Sequence, residues 1–349
     1  IVFLHFFLVK WRQAKASVPD GAPNYWQKRL VPPIEFGSMH VLLLQFAVLP
    51  LTMSKLAITK LHGTVLYRFL PLDALLHFHQ YIGLFACVAL GALFLLFMAH
   101  FGVLCVDHKA GVEATDFCAK FTEEIMLTGY GIMAIVAVLC VTSLPKVRRH
   151  LPYEAFYYTH HLFNVFYALV IAHTLDETGR ESDSARSQTW KWVAAPFLIY
   201  LTDRFLRYRR TRRAKLVEAH ILKDPKALIL QLRMPPGNPL RFQAGQYVYV
   251  NAPGVSKLQW HPFAIQSSPR TPSKLELFVQ VESCKPGGTP TWTEALFDTV
   301  CSAASGGPPV LYVEGPYSAG DLPGVLSHKH ALLVATGTGV VPMISLLRD

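Results

Sequence analysis

Two runs of twenty residues without a charged side chain, Gln80–Ala99 and Ile125–Leu144, constrain this chain more than any other feature. A helix rises 1.5 Å per residue, so each run is long enough to cross a hydrocarbon core of roughly 30 Å. Only 16% of the residues are charged and the mean hydropathy is +0.29, whereas soluble domains carry about a quarter of charged residues. We therefore predict an integral membrane protein.

Four further apolar segments are less pure, and a buried helix of a soluble protein is the alternative for each: Ile1–Val9, Phe36–Ile58, Phe156–Ala172 and Trp190–Leu206. With the two pure runs they predict an all-α bundle of six membrane helices. After Lys215 the pattern changes to short alternating strands separated by turns, which predicts a small antiparallel β-barrel. The strands are expected at Val217–Leu222, Ala227–Met234, Tyr247–Ala252, Leu275–Val281 and Val310–Val313, with a turn at Lys285–Gly288.

Loop charge predicts the orientation of the bundle. Residues 145–151 carry three basic side chains, and seven of the twelve residues from Arg204 to Lys215 are Arg or Lys. Basic loops face the cytosol and anionic lipid, so this cluster is interpreted as a membrane-edge anchor and no nucleic-acid partner is expected. The acidic loops 107–121 and 174–189 would lie outside. The loop 10–30 contradicts this assignment, because it would also lie outside and yet carries five basic residues.

Histidines inside the predicted helices indicate a functional site. His79 and His100 belong to one helix, and His160 and His173 belong to another. Ionisable side chains are expensive at bilayer depth, and neutral imidazole is a good axial ligand for haem iron. A metal or proton conduction path is the competing interpretation, but the helix from Phe156 to His173 has no carboxylate beside its histidines. Thirteen residues separate His160 from His173, a rise of about 20 Å that suits two haems, although an ideal helix would not place both on one face.

The run from Arg148 to Phe163, RRHLPYEAFYYTHHLF, followed by His173, closely resembles the fifth transmembrane helix of NADPH oxidases. The helix that contains Leu127–Gly129 and the segment Leu70–Asp73 before Phe78 and His79 resemble the same family. The resemblance implies two haem b groups. His79 and His160 would hold the one on the cytosolic side, and His173 would help to hold the outer one.

The fourth haem ligand departs from the family pattern. The family's position, fourteen residues after the first ligand, falls on Leu93, and the only other candidate on that helix is His100. Either His100 replaces the missing iron ligand through a bulge in the helix, or the outer haem is altered. In the second case His100 corresponds to a histidine that the family has one turn beyond the ligand, near the oxygen site, where it would be catalytic.

Two segments after Lys215 resemble the flavin-binding signature of the ferredoxin-reductase-like domain in NADPH oxidases and ferric reductases. The resemblance implies FAD contacts from the following residues: Gln246, Tyr247, His261, Pro262, Phe263, Ala264, Ile265, Ser267 and Ser268. Ala264 stands where the family has Thr or Ser, so one hydroxyl contact to the flavin is expected to be missing. Glu314–Tyr317, which includes Gly315 and Pro316, resembles the family's turn beside the flavin.

The last residues resemble an NADPH-binding loop. His330–Ala335 is predicted to be a buried parallel strand that opens an α/β domain, and Gly337, Thr338, Gly339 and Pro342 follow it. Glycines let backbone amides approach a pyrophosphate at the start of a helix. The given chain stops seven residues after Pro342, so we expect weak NADPH binding from these residues alone.

Cysteines add one structural expectation. Cys105 and Cys118 share an outer loop, where an oxidising compartment permits a disulfide. Cys87 and Cys140 fall inside the predicted helices and are interpreted as packing residues.

The sequence thus predicts a multi-domain protein divided as follows: 1–35, a first membrane helix and outer loop; 36–206, haem-binding helices; 207–215, a basic linker; 216–325, an FAD-binding β-barrel; and 326–349, the beginning of an NADPH-binding domain. Its predicted activity is electron transfer from cytosolic NADPH through FAD and two haems to oxygen, forming superoxide, in the plasma membrane. A ferric-chelate reductase and a non-enzymatic metal or proton conductor are the alternatives. Regulatory subunits or a homo-oligomer stay open as partners.

Overall fold

The computed structural model describes all residues from 1 to 349 except 63, 66–68, 70–71, 114, 176–189, 283–289, 318–324 and 326–327. Most of the acidic loop 174–189, the turn 285–288 and Leu70–Pro71 therefore lie outside the described residues. The chain divides into a helical unit, formed by Ile1–Met53 and Leu75–Leu201, and a sheet unit, formed by Ser54–Ala74 and Thr202–Asp349.

Eleven α-helices occur in the described part of the chain. In order they are α1 Val2–Ser17, α2 Tyr25–Leu51, α3 Lys55–His62, α4 Leu75–Lys109, α5 Glu124–Ser143, α6 Pro145–Arg148, α7 Tyr153–His160, α8 Phe163–Leu175, α9 Trp190–Arg209, α10 Trp292–Gly306 and α11 Val340–Leu347. Of these, α2, α4 and α5 are long and apolar enough to cross a membrane. The helical amino-terminal region and its membrane character are confirmed.

One side of α4 has the apolar surface of a helix that faces lipid. Large apolar side chains at Tyr81, Phe85, Val88 and Leu95 are each at least half exposed. They recur three, four and seven residues apart, which aligns them along one side of the helix. Exposure of such an apolar stripe to water is unfavourable, whereas its contact with lipid hydrocarbon chains is favourable. On its other side α4 contributes Ala86 to an apolar core with Leu42, Phe46 and other side chains of α2, α5, α8 and α9.

Contacts at one end of the helical unit explain the basic loop that contradicted the predicted orientation. Lys28, in the first turn of α2, forms an ion pair of 2.8 Å with Glu113, which follows α4. Asn24 donates a hydrogen bond of 2.6 Å to Asp107. The basic and acidic loops therefore lie at the same end of the unit and partly neutralise each other. Cys105 and Cys118 form a disulfide at this end, so the predicted pairing is confirmed.

The sheet unit is built on a six-stranded sheet in which every pairing is antiparallel. Its strands are β1 Arg212–Lys223, β2 Lys226–Arg233, β3 Tyr247–Asn251, β4 His261–Ala264, β5 Lys274–Gln280 and β6 Val310–Tyr317. They lie in the order β4-β3-β6-β1-β2-β5, and a bridge between Ile265 and Leu277 joins the two ends. The sheet is thus nearly closed, as predicted. Alternating side chains such as Leu228, Leu230 and Leu232 fill its interior.

The predicted strand at His330–Ala335 is not a strand in the structure. The segment has no regular secondary structure, and Leu332 and Val334 are 89% and 76% exposed. A parallel strand is stable only between neighbouring strands with helices on both faces, and no described strand pairs with these residues. The apolar pattern is typical of a strand, but the pairing that would make it one is absent from the described residues.

Candidate functional site

Two histidines face each other within the helical unit. His79, in the second turn of α4, and His160, the last residue of α7, have ring centroids 6.3 Å apart with their planes inclined by 66°. A metal ion lies about 2.0–2.1 Å from a ligating imidazole nitrogen, so two rings on opposite sides of one metal have centroids roughly 6 Å apart. The pair therefore fits a single iron held by two imidazoles.

The environment of this pair favours neutral imidazoles. Phe156 stacks on the His160 ring at 5.1 Å. Nδ1 of His160 is buried and has no hydrogen-bond partner within the described part of the chain. His79 is held differently, because its Nδ1 lies 2.9 Å from the hydroxyl of Thr52. Two uncharged nitrogen donors in an apolar space suit haem iron.

His160 and His173 are not on one continuous helix, contrary to the single helix predicted at Phe156–Ala172. Helix α7 ends at His160 and α8 begins at Phe163, with a turn at His161 and Leu162. The two histidines therefore belong to two helical segments, and the angular relation expected for one ideal helix does not describe them. His173 lies in the last turn of α8, and its Nδ1 is 2.8 Å from the hydroxyl of Thr128 on α5.

His100 lies on α4 at the end that carries the disulfide. Only 7% of this residue is exposed, and its Nδ1 has no hydrogen-bond partner among the described groups. Helix α4 runs from Leu75 to Lys109 as a regular α-helix, so the bulge expected as one route for His100 is not present. Leu93 packs against the apolar core of the unit, and its aliphatic side chain supplies no iron ligand.

In the sheet unit, strand register brings the predicted flavin motifs together. Tyr247 is paired with Ala264 on β4 and with Tyr317 at the end of β6. Gly315 and Pro316 belong to β6, at an irregularity in its pairing with β3, and do not form the expected turn. Val248 is paired with Phe263 and Tyr249 with Pro262. Gly315 has a φ of +140°, and a Cβ there would lie 3.2 Å from Val248 Cγ1, so this close approach of β6 to β3 requires glycine. Three segments that are distant in sequence thus lie side by side in the sheet. Because side chains alternate along a strand, Tyr247 and Ala264 share one face and Val248 and Phe263 share the other.

His261 and Phe263 share an aromatic neighbour that was not foreseen. The His261 ring stacks on Trp292 of α10 at 4.3 Å, and the Phe263 ring lies 6.0 Å from the same indole. Burial lowers the pKa of His261 from its usual value, because the charged imidazolium loses its hydration. At neutral pH the His261 side chain is therefore uncharged, and it packs with Trp292 and Phe263 as an aromatic group.

Ser267 and Ser268 lie at the edge of a cavity of about 540 Å³. Each hydroxyl oxygen accepts a backbone N–H, Ser267 from Glu276 at 3.1 Å and Ser268 from Arg270 at 3.2 Å. A hydroxyl that accepts in this way keeps its own proton for donation to a ligand. Three basic side chains and one carboxylate also line the cavity: Arg233, Lys274, Arg348 and Glu276, of which the last two form an ion pair of 2.8 Å. The cavity can hold an anionic group such as a phosphate.

The glycine-rich segment is connected to the flavin motif through the helix that follows it. Gly337, Thr338 and Gly339 are exposed and form a single 3-10 turn before α11, which contains Pro342. Ser345 of α11 is fully buried and donates a hydrogen bond of 2.9 Å to the carbonyl of Ser267. Gln246 is placed by the turn before β3, where its Oε1 accepts the Gln243 N–H.

A buried polar cluster behind Tyr247 is not foreseen from the sequence pattern. Arg207 of α9 contacts Glu314 and Tyr317 of β6, and only 7% of Arg207 is exposed. Arg207 is therefore a packed structural residue, and the lipid-facing role predicted for the basic cluster is wrong for it. Burial raises the pKa of Tyr317 above its usual value, so its hydroxyl stays protonated. The motif Glu314–Tyr317 is the only signal of this cluster in the sequence.

Lys55 lies on the same side of the sheet. Its Nζ is 3.6 Å from the centroid of the Tyr249 ring, and burial lowers its pKa from 10.5 to about 7. It begins α3, whose first two free N–H groups, at Leu56 and Ala57, donate to Oδ1 of Asp203 at 2.9 and 3.1 Å. Asp203 thus caps α3 from α9, which fixes the position of Lys55.

Comparison with known protein families identifies both parts of the chain. Residues 36–171 match the ferric reductase like transmembrane component, and residues 212–321 match an FAD-binding domain. The two matched regions contain His79 and His160 in the first and the Tyr247 and His261 segments in the second.

Three curated relatives are similar over much of the chain. A superoxide-generating NADPH oxidase heavy chain of Dictyostelium discoideum is 28% identical over 87% of this chain and 46% of its own length. NADPH oxidase 1 of Rattus norvegicus is 31% identical over 68% of this chain and 45% of its own. Ferric reduction oxidase 2 of Arabidopsis thaliana is 31% identical over 64% of this chain and 28% of its own. The chain spans less than half the length of each.

The order of the two matched regions agrees with the geometry. A helical unit with a facing histidine pair precedes a nearly closed antiparallel sheet on which the flavin motifs converge. The chain belongs to the NADPH oxidase family, with a ferric reductase-like transmembrane component followed by an FAD-binding domain.

Proposed function

We propose that this chain carries electrons across a membrane, from cytosolic NADPH through FAD and two haems to molecular oxygen, with superoxide as the product. The observation that carries this proposal is the His79–His160 pair, whose ring centroids are 6.3 Å apart in the helical unit. A chain that joins such a pair to an FAD-binding domain combines a one-electron site and a two-electron cofactor in one polypeptide.

The residues of the helical unit have distinct tasks in this proposal. His79 and His160 hold the inner haem, Phe156 packs on the His160 ring, and the surrounding apolar side chains exclude water. When bound, the haems and FAD supply hydride acceptance and single-electron transfer, chemistry that amino-acid side chains do not provide. The protein's contribution is to hold the histidine ligands in place and to set the distances between the cofactors.

The outer site is proposed to use His173 and, on a regular α4 that lacks the expected bulge, His100. His173 is held by Thr128, and His100 is buried with an unpartnered Nδ1 among the described residues. Neither Leu93 nor any carboxylate on α4 within the bilayer can replace it. If His100 lies beside the oxygen site instead, H100L keeps two haems per chain and slows the reaction with oxygen, whereas loss of a ligand leaves one haem.

In the sheet unit we propose that the flavin lies at the β4 edge, where His261 and Phe263 share one face of the sheet and Tyr247 and Ala264 share the other, next to Gly315 and Pro316 of β6. Register pairs these segments directly. Ser267 and Ser268 keep hydroxyl protons for a phosphate, with basic side chains around the same cavity. Gly337, Thr338, Gly339 and Pro342 are proposed to begin the NADPH site, because a glycine turn before a helix favours a pyrophosphate.

The membrane arrangement is also a proposal. Six spans would comprise α1, α2, α4, α5, α7 with α8, and α9, and the end with the Cys105–Cys118 disulfide would face outside. Disulfides persist in oxidising compartments, which supports this orientation and a plasma-membrane location. The sheet unit would then lie in the cytosol.

One experiment tests the electron path without depending on NADPH. The purified chain in nanodiscs is assayed for haem by absorption and by the ratio of haem to protein. It is then reduced with dithionite, freed of reductant, and mixed with oxygenated buffer containing a superoxide probe, with and without superoxide dismutase. We expect a bis-histidine haem spectrum, rapid reoxidation and a signal that the dismutase abolishes. A colourless protein would contradict the haem assignment and favour a metal or proton conductor.

A ferric-chelate reductase is the second candidate, and the similarity to ferric reduction oxidase 2 favours it specifically. The two functions differ only in the acceptor on the outer side. The reduced protein is therefore mixed with a ferric chelate in the absence of oxygen. An oxidase reacts much faster with oxygen than with the chelate, and the reverse order of rates would make the chain a ferric reductase.

A further inference from the structure

Two histidines proposed as iron ligands in the helical unit are each hydrogen-bonded to a threonine, and the two contacts are alike. Oγ1 of Thr52, the residue after α2, is 2.9 Å from Nδ1 of His79 on α4. Oγ1 of Thr128 on α5 is 2.8 Å from Nδ1 of His173 on α8. In neither case does the threonine belong to the helix of its histidine, so the bond orients the ring from a neighbouring segment of the bundle.

The direction of each bond follows from the hydroxyl's single proton. The Thr52 hydroxyl donates to the Leu49 carbonyl at 2.6 Å, and the Thr128 hydroxyl donates to the Ile125 carbonyl at 2.9 Å. With its proton given to that carbonyl, each oxygen is an acceptor for the imidazole. In this arrangement Nδ1 carries the hydrogen and Nε2 keeps its lone pair.

Other histidines in the unit show that this arrangement is not general. His161 and His40 bond through Nδ1 to the carbonyl four residues earlier on their own helix, at 2.7 and 2.8 Å. Their rings are thereby tied along their own backbone. His160 and His100 have a buried Nδ1 with no partner among the described residues. By contrast, His79 and His173 bond through Nδ1 to a threonine hydroxyl.

We infer that Thr52 and Thr128 are positioning residues that fix His79 and His173 in the tautomer that binds haem iron through Nε2. This inference rests on the proposed function. An acceptor at Nδ1 increases the basicity of a ligating imidazole and orients its ring. A more basic ligand stabilises ferric over ferrous iron, so each threonine lowers the midpoint potential of its haem.

The test compares isosteric and conservative variants of the full chain. T52V and T128V remove the acceptor without changing side-chain volume, and T52S and T128S keep it. T142V is the matched control, because the Thr142 hydroxyl bonds back to the Val138 carbonyl of α5 at 2.8 Å and none of its described hydrogen bonds involves a histidine. The readouts are haem content, redox titration of the haem absorption bands and the low-spin g values in electron paramagnetic resonance.

We expect each valine variant to raise the ferrous-to-ferric ratio of one haem at fixed potential by about threefold to tenfold, where tenfold corresponds to about 59 mV for one electron. The g values of that haem shift, the serine variants restore them, and T142V matches the wild type. Loss of one haem in a valine variant that serine restores also supports the inference. Wild-type potentials and g values in T52V and T128V would overturn it, as would serine variants as defective as valine. Wild-type protein without haem would instead contradict the proposed function.

Discussion

Arg207 and Glu314 form an ion pair inside the sheet unit, with 2.6 Å between Nη2 and Oε1 and 8% of each side chain exposed. Nε of Arg207 donates to the same oxygen and to the Tyr317 hydroxyl, at 2.6 and 2.9 Å. The Tyr317 hydroxyl also donates to Glu314. This network lies directly behind Tyr247, whose ring is 5.7 Å from that of Tyr317. The end of β6 beside the proposed flavin site is thus held by a charge pair.

Removal of Arg207 is expected to destabilise the sheet unit strongly. R207M leaves Glu314 buried without its counter-charge, which costs about 3–5 kcal/mol. Thermal unfolding followed by tryptophan fluorescence measures the loss. R270A is the control, since the Arg270–Asp349 pair spans 3.9 Å and the arginine side chain is 77% exposed. The double variant R207M/E314L should recover part of the loss, and equal melting temperatures for R207M and R270A would refute the prediction.

Neighbouring histidines should differ sharply in their effect on haem content. H160L removes a ligand of the proposed inner haem, so we expect about half of the haem per chain to be lost. H161L is a matched control, because the His161 ring is bonded to the Tyr157 carbonyl of its own helix and should leave the haem content near the wild-type value. The ratio of haem to protein measures both. Equal losses in the two variants would show that this region is only structurally sensitive.

Ala264 offers a gain-of-function test in the flavin segment. It is paired with Tyr247 and is partly exposed, so a hydroxyl there can reach a ligand on this surface. A264T should tighten FAD binding by about two- to tenfold, corresponding to about 0.5–1.5 kcal/mol for one hydrogen bond. A264V has the same shape without the hydroxyl and should not tighten binding. Flavin fluorescence titration provides the dissociation constants, and equal values for the two variants would contradict the predicted contact.

Lys55 should make stability depend on pH in the alkaline range. Its folded-state pKa is about 7 against 10.5 for an ordinary lysine, so between these values the unfolded chain binds the extra proton. Stability therefore rises with pH across this window, and the cost of burying the charge is complete below pH about 7. K55M should raise the melting temperature most near pH 6 and least near pH 10.

The control for Lys55 is K223M, which changes an exposed lysine at the end of β1. Its melting temperature should differ from the wild-type value by a small amount that does not vary with pH. A pH-independent effect of K55M would mean that the cation–π contact with Tyr249 outweighs desolvation and keeps Lys55 charged.

The disulfide tests both stability and orientation. Cys105 and Cys118 are separated by 13 positions, and closing a loop of this size contributes about 3 kcal/mol. C118S should therefore lower the melting temperature of the helical unit. C301S is the control, since Cys301 is a free, exposed cysteine. A membrane-impermeant reductant added to intact cells should open the bond, and protection of the bond would place this end of the protein in the cytosol.

The sequence by itself determined the two-part organisation of this protein. Charge-free runs long enough for a bilayer predicted α4 and α5, because backbone polar groups in lipid must be satisfied within a helix. Alternating apolar residues predicted β1, β2, β3, β5 and part of β6, because a half-buried strand repeats every two residues. The histidines stood out for a similar reason: imidazole is rare in apolar helices.

Only the tertiary structure decided which of these residues meet. The break at His161–Leu162 is a local interruption of the helix that periodicity does not reveal. The burial of Arg207 and the hydrogen bonds of Thr52 and Thr128 depend on partners 27 to 110 positions away. In the sequence, Arg207 has the pattern of a basic residue at a membrane edge. Thr52 and Thr128 have the pattern of ordinary residues at the end of a helix or within one. Their roles follow from the groups that packing places beside them, which no local pattern encodes.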